Sequence, residues 1–217
     1  MGLNVFGVLV IWTAGEEHVP TQHISLLTLV IVNAIASYVG ASIWIYEKAR
    51  AGTIAMLVVT ILSLTSAYLT TLFPETRTIT HTISVLLEII SSGALLGAVM
   101  MSMLLGHWYL TASGMSLAPL WRLNAVFGVA TLLRIVLATI GLSLVDKLPG
   151  TDYHVTLLAL RWLVGLIGPL VVVVMVWRIL KYRNTQAATG VLYTGVLLTV
   201  TGELAATLLS RELSLPV

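Results

Sequence analysis

Six long apolar stretches constrain this chain more than any other feature of its sequence. A helix of about 20 residues crosses a hydrocarbon core about 30 Å thick, because each residue advances the helix by about 1.5 Å. The stretches therefore predict an all-α fold, a polytopic transmembrane bundle of about six helices. We number them spans 1 to 6, and they lie at Ile24–Tyr46, Thr53–Phe73, Ile79–Leu105, Leu120–Val145, Val155–Leu180 and Ala188–Leu209.

The composition of the 217 residues excludes a soluble globular fold. Hydrophobic residues make up 58% of the chain and charged residues 9%, whereas a soluble domain carries roughly a quarter charged residues. The net charge of +2 comes from basic residues spread over several loops, which argues against a nucleic-acid partner. No cysteine is present, so disulfides, thiolate metal sites and covalent haem attachment are excluded. We expect the lipid bilayer to be the main surrounding of the chain.

The distribution of lysine and arginine predicts an orientation in the membrane. The side reached after spans 1, 3 and 5 carries more of them than the opposite side, which carries Arg77, Lys147 and Arg211. Under the positive-inside rule the richer side is cytoplasmic. This predicts a multi-pass protein of the inner or plasma membrane with both termini external. The residues on the richer side are Lys48, Arg50, Arg122, Arg178, Lys181 and Arg183.

The first residues need a separate interpretation. Leu3–Trp12 is apolar but too short to span a membrane, and it lacks the basic leader of a signal peptide. We predict that residues 1–22 form an external interfacial or re-entrant segment and that residues 23–217 form a single transmembrane bundle domain. A short seventh helix, or a translation start upstream of Met1, is the alternative.

Two glycine patterns bear on helix packing. Gly93 and Gly97 form a G-x-x-x-G pattern in span 3, which is typical of close helix contacts. Gly165, Gly168 and Pro169 would kink span 5 or let a neighbouring helix approach closely. Ordinary small residues inside a bundle are the preferred interpretation of both patterns.

Four ionisable side chains lie within the predicted spans, namely Glu88, Arg134, Arg161 and Glu203 in spans 3 to 6. A charge near the bilayer centre costs about 2.5 to 3.5 kcal/mol on insertion scales, so these side chains should face the bundle interior and find partners. Intramembrane ionisable residues typically line a site or path for a proton, an ion or a quinone headgroup. The alternative is a set of structural ion pairs that fix the register of four helices.

The spacing of two histidines refines where these charges lie. His81 precedes Glu88 and His154 precedes Arg161, in each case by seven residues, and each histidine lies near the external start of its span. Seven residues are nearly two helical turns, so each pair shares a face over about 10 Å. Glu88 and Arg161 are therefore predicted at similar depth. We expect a polar cluster in the external half of the membrane, with the histidines above it.

Three histidines are candidate cofactor ligands. His23, His81 and His154 lie on the same predicted side of the membrane. A b-type haem needs two imidazoles that face each other across the ring, usually deeper in the bundle than these helix entrances. Quinone is therefore the preferred cofactor hypothesis and haem b the competing one. No metal site is predicted, since His18 and its two neighbouring glutamates fit no metal signature.

The function predicted from these features is a supporting role in a larger complex. No nucleophile elbow, Walker loop, H-E-x-x-H helix or dinucleotide fingerprint is present. A small helical bundle with short loops and charges on one side resembles the membrane anchor subunits of respiratory and photosynthetic electron-transfer complexes. That resemblance implies partner subunits and at most a quinone-binding role within an oxidoreductase. Glu88, Arg134, Arg161 and Glu203 would support quinone or proton handling, with Glu88 exchanging the proton.

Two alternative functions use the same residues. The chain could be a stand-alone proton or ion channel or small transporter, which would conduct without partners. It could also be a purely structural or assembly subunit, which requires all four intramembrane charges to form closed pairs.

Overall fold

The computed structural model describes the backbone of residues 20–70, 79–111, 116–143 and 152–213. These parts of the chain are helical apart from short turns and contain no strand. Helices α5 and α6 are joined by a π-helix at Leu160–Ile167, so the three run as one continuous element. The α-helices are α1 (Pro20–Ile45), α2 (Ala49–Thr70), α3 (Ile79–Tyr109), α4 (Ala118–Ser143), α5 (Asp152–Ala159), α6 (Gly168–Lys181) and α7 (Thr185–Leu213).

Six of the described helical segments are long and apolar enough to cross a membrane. This confirms the predicted all-α fold and a multi-pass integral membrane protein. The element formed by α5, the π-helix and α6 supplies span 5. Leu3–Trp12, and with it the possible seventh helix, lies outside the described residues. The six segments are Leu27–Ile45, Ala49–Leu69, Ile83–Tyr109, Ala118–Ser143, Tyr153–Lys181 and Thr185–Ser210.

Hydroxyl side chains inside the spans bond mainly to their own helices. Thr60, Thr131 and Thr199 each donate to the carbonyl oxygen one turn earlier, at 2.8 Å. Lipid offers no hydrogen-bond partner, so such internal bonds satisfy the hydroxyl without a neighbouring helix. These hydroxyls therefore do not by themselves mark a polar path.

The chain divides into two compact units, residues 1–89 and 90–217, and the division falls within α3. In the first unit, α1 and α2 pack as an antiparallel hairpin. Asn33 Nδ2 donates to Ser63 Oγ at 2.9 Å, which joins the two helices by a polar contact. The predicted single bundle over residues 23–217 stays a prediction.

The second unit has its hydrophobic core between α4, α6, α7 and the part of α3 that follows Ile90. Large side chains from all four helices are fully buried there, including Leu95, Phe127, Val176 and Leu192. A smaller cluster of Leu157, Ala205 and Leu209 packs α5 against α7. The core therefore fixes the rotation of each helix and decides which polar residues point inward.

A close helix crossing lies beside the π-helix. A Cβ added at Gly165 would lie 2.5 Å from Gly202 Cα, and one added at Gly202 would lie 2.0 Å from Gly165 Cα. Only glycine permits this approach. Pro169 lacks an N–H group, and the Gly168 N–H bonds to the Leu163 carbonyl in a wider π-turn. Of the possibilities considered for span 5, the close approach is present, and it lies beside a π-helical turn.

The G-x-x-x-G pattern of α3 has no such close neighbour. A Cβ added at Gly93 or Gly97 meets no atom within 4 Å in the described part of the chain. Both positions are exposed in the second unit. The backbone-to-backbone approach described above is thus made by Gly165 and Gly202 and not by this pattern.

Two short turns join neighbouring helices on the predicted cytoplasmic side. Glu47 (φ 57°) lies between α1 and α2, and Arg183 (φ 56°) lies between α6 and α7. A left-handed conformation costs a non-glycine residue about 1 to 2 kcal/mol, which the flanking helices must offset. In the second turn the Ala187 N–H donates to Asn184 Oδ1 at 3.0 Å, so Asn184 caps α7.

Candidate functional site

Three of the four intramembrane charges meet in the second unit. The Glu203 carboxylate lies 2.8 Å from Arg134 Nη2 and 2.8 Å from Arg161 Nη1. The exposed fractions are 3% for Arg134, 0% for Arg161 and 7% for Glu203. We call Arg134, Arg161, Glu203 and the adjoining Ser91 and Ser92 the buried charge cluster. It is a compact ionic centre inside apolar helices.

The buried faces of α4 and α7 carry two of these residues inward. Arg134 continues the buried series Phe127, Thr131 and Ala138, whose spacing of three or four residues defines one face of α4. Glu203 follows Gly202 directly on α7, at the close crossing with Gly165. The polar side chains are therefore positioned by the same helix faces that form the core.

Arg161 reaches the cluster from the π-helix, four residues before Gly165. Its Nη1 lies 2.8 Å from Glu203 Oε1 and 3.5 Å from the Gly202 carbonyl oxygen. The second contact requires the α7 backbone to come near, which the glycine crossing permits. The crossing thus places a fully buried guanidinium against both the backbone and the carboxylate of α7.

The Glu203 carboxylate accepts four hydrogen bonds. Oε1 accepts from Arg134 Nε at 3.1 Å and from Arg161 Nη1 at 2.8 Å. Oε2 accepts from Arg134 Nη2 at 2.8 Å and from Ser92 Oγ at 2.6 Å. Arg134 therefore binds both oxygens in the paired geometry that suits guanidinium and carboxylate. Four bonds fill the acceptor capacity of a carboxylate, which has about four lone-pair sites.

The cluster can hold two cations at fixed positions in a medium of low dielectric. Arg134 Nη1 also points toward Ser91 Oγ at 3.5 Å, which is long for a hydrogen bond. Guanidinium groups carry five N–H donors in a rigid fork and no acceptor. The arrangement is thus suited to an oxygen-bearing partner, such as a carbonyl or an anion, and unsuited to a cation.

No known protein family, curated protein or solved structure matches this chain.

Glu88 belongs to the first compact unit, and its side chain is half-buried. That it lies at the same depth as Arg161 stays a prediction. The structure places both Arg134 and Arg161 against the Glu203 carboxylate. One acid thus contacts two bases within the second unit.

The predicted histidine ligands occupy helix starts, as their sequence positions indicate. His154 is half-buried in α5, and its ring lies edge-on to Tyr153 with 5.6 Å between the ring centroids. His23 and His81 belong to α1 and α3, but their side chains fall outside the described residues. In the parts of the chain described, no three His, Asp or Glu side chains form a metal site. Cofactor binding by the three histidines stays a prediction.

Sequence reasoning missed Ser92 and Gly202. Ser92 donates to Glu203, and Gly202 brings its backbone carbonyl to Arg161. The signal for Ser92 was a pair of adjacent serines inside an apolar span. The only signal for Gly202 was its position next to an intramembrane glutamate. A small residue in a helical bundle does not by itself indicate a functional site.

Proposed function

We propose that this chain is an integral membrane subunit of an electron-transfer complex, in which the buried charge cluster binds a quinone headgroup. The observation that carries the proposal is one buried carboxylate that holds two buried guanidiniums at 2.8 Å within membrane-spanning helices. Intramembrane charges are costly, and they commonly mark substrate and proton sites.

The roles of the three charged residues differ. Each Glu203 oxygen already accepts two hydrogen bonds, so a proton on either oxygen would displace a bond. Glu203 is therefore proposed as a positioning residue that fixes the direction of both guanidiniums. Arg134 and Arg161 are proposed to donate to a quinone carbonyl oxygen.

The chemistry of quinone reduction suits this division. Reduction adds two electrons and two protons to a quinone, and negative charge develops on its oxygens as the electrons arrive. Fixed cations in a site that excludes water stabilise such developing charge. A partner subunit would supply the electrons, and Glu88 is proposed as the group that exchanges a proton.

Analysis of the purified native particle tests this proposal. We expect solvent extraction to release a quinone in near-stoichiometric amount, and the absorption spectrum to lack a haem Soret band. A Soret band would instead indicate haem b with His81 and His154 as its ligands. Particles that hold neither quinone nor haem would overturn the proposal.

A structural role for the cluster is the second candidate function. The observation that favours it is that Glu203 fills all its acceptor sites within the chain. The triple variant Arg134→Gln, Arg161→Gln and Glu203→Gln removes all three charges, and its comparison with Glu203→Gln alone distinguishes the two candidates. A purely structural cluster should lose assembly in the single variant and regain both assembly and turnover in the triple variant, whereas a quinone site should regain assembly only.

A further inference from the structure

A basic groove lies between the start of α4 and the end of α6, both in the second unit. Its volume is about 460 Å³, within the usual range of about 300 to 1,000 Å³ for small-ligand sites. Leu117, Trp121 and Leu180 supply its apolar wall, while Ser116, Lys181 and Arg183 supply polar groups. The groove therefore combines cations with an apolar side.

Aromatic contacts hold the basic side of this groove in place. Lys181 Nζ lies 3.7 Å from the centre of the Trp177 ring, a cation–π contact. Trp177 in turn meets Trp121 edge-on, with 6.4 Å between ring centroids. Tryptophans at helix ends typically lie at the level of lipid headgroups. The groove thus lies at headgroup depth.

The positive charge at this end of the second unit has no nearby acidic residue in the sequence. The chain contains no Asp or Glu from residue 89 to 145 or from residue 153 to 202. Arg122 and Arg178, which adjoin the two tryptophans in sequence, are exposed like Lys181 and Arg183. The groove itself holds Lys181 and Arg183, and an anion to balance them must come from outside these segments.

The start of α4 adds backbone donors to the groove. The first α4 hydrogen bond runs from the Trp121 N–H to the Leu117 carbonyl at 3.0 Å. The N–H group of Ala118, a residue that lines the groove, precedes that bond. The N–H groups of a first helical turn and the positive end of the helix dipole favour a phosphate.

We propose that this groove binds the phosphate headgroup of an anionic phospholipid. Lys181 and Arg183 would contact the phosphate, and the apolar wall with Trp121 would contact the start of the acyl chains. Basic pockets between transmembrane helices recognise such headgroups by this combination of charge and apolar surface. A lipid is favoured over a free phosphate because more than half of the groove lining is apolar and includes Trp121, a residue type typical of headgroup depth.

Native mass spectrometry of the full chain, released from nanodiscs of phosphatidylglycerol and phosphatidylcholine, tests the proposal. We expect the wild type to retain phosphatidylglycerol in preference to phosphatidylcholine. Lys181→Gln with Arg183→Gln should weaken this retention about thirty-fold, which corresponds to about 2 kcal/mol for two surface cations. The control Lys48→Gln with Arg50→Gln removes the same charge from the first unit and should retain the lipid.

Three results would overturn the proposal. The first is a wild type with no preference for phosphatidylglycerol, and the second is a control pair that loses the lipid as fully as the groove pair does. The third is displacement of the lipid by inorganic phosphate at millimolar concentration, which would make the groove a site for free anions. If the double variant does not fold, Arg183→Gln alone is compared with Arg50→Gln, and equal lipid loss in these two would also overturn it.

Discussion

Glu203 contacts two cations through one carboxylate, so the cluster has one more positive charge than negative. This imbalance determines how a single substitution should change stability. Glu203→Gln keeps the side-chain shape but removes the negative charge, which leaves Arg134 and Arg161 buried beside each other. Breaking a buried ion pair costs about 3 to 5 kcal/mol. We expect a loss of that size in the free energy of unfolding, measured for the purified chain in lipid or detergent.

A milder change at the same carboxylate provides the control. Ser92→Ala removes one neutral donor to Glu203 and should cost about 1 kcal/mol. If Ser92→Ala and Glu203→Gln lowered the free energy of unfolding by the same amount, the ion pairs of Glu203 would not contribute the expected stability.

Glu88 has a different expected effect because it is proposed to exchange a proton and not to hold the arginines. Glu88→Gln should slow quinone turnover of the parent complex by about a hundred-fold, the lower range for general acid–base catalysis. Quinone content of the purified complex should stay unchanged. Steady-state turnover and the amount of quinone extracted from the complex are measured side by side. Unchanged turnover would show that Glu88 does not exchange the proton.

The individual residues of the buried charge cluster were largely predictable from the sequence. The cost of a charge in lipid singles out Arg134, Arg161 and Glu203 without any structure. Which charges meet depends on the rotation of each helix about its axis. For Arg161 this rotation does not follow from 3.6 residues per turn, because Arg161 lies in the π-helix, whose turns are wider. The shared use of Glu203 by two arginines was therefore not predictable.

Among the elements, α7 and the π-helix form the contact on which the cluster depends. Gly202→Ala would place a Cβ 2.0 Å from Gly165 Cα, so the two helices must separate. Separation would also draw Arg161 away from the Gly202 carbonyl and from Glu203. Overpacking alone should lower the free energy of unfolding by about 1 to 3 kcal/mol. The lost contacts of Arg161 should add to this loss.

A matched glycine lies on the same helix. A Cβ added at Gly190 meets no described atom within 4 Å, so Gly190→Ala should be neutral or stabilising by up to about 1 kcal/mol through helix propensity. Thermal unfolding of the two variants side by side checks the contrast. Equal melting temperatures would show that the crossing is not tightly packed.

The helices themselves were predicted closely, since hydrophobic length alone defines a membrane span. Their ends shifted because turns, not apolar residues, stop them: α1 ends at Ile45, before the left-handed Glu47. The Gly165–Gly202 crossing was predicted only in part. Glycines in span 5 indicated a close neighbour, but nothing in the sequence identified Gly202 as that neighbour.

For the whole molecule, the distribution of basic residues predicts the orientation. The chain contains no cysteine, so a single introduced cysteine is the only thiol. Tyr182 in the α6–α7 turn is 85% exposed and Tyr153 near the start of α5 is 49% exposed. Tyr182→Cys should react with a membrane-impermeant maleimide only after the cells are permeabilised, and Tyr153→Cys should react in intact cells. The reverse pattern would invert the topology.

The two charged regions of the second unit serve different partners in this account. Arg161 and Lys181 are separated by 20 residues of continuous helix, which is about 30 Å at 1.5 Å per residue. This distance separates the quinone proposed for the buried charge cluster from the lipid headgroup proposed for the basic groove. A quinone should not compete with phosphatidylglycerol.

Quinone binding by the purified chain tests whether the buried charge cluster is a quinone site. Short-chain benzoquinone and naphthoquinone are titrated into nanodiscs that hold the wild type, Arg161→Gln or the control Gly190→Ala, each first shown to be folded by circular dichroism. We predict that the wild type and Gly190→Ala bind one of the quinones, and that Arg161→Gln weakens binding at least about tenfold, or about 1.4 kcal/mol. Equal affinity in all three proteins would contradict the assignment of the cluster as a quinone site.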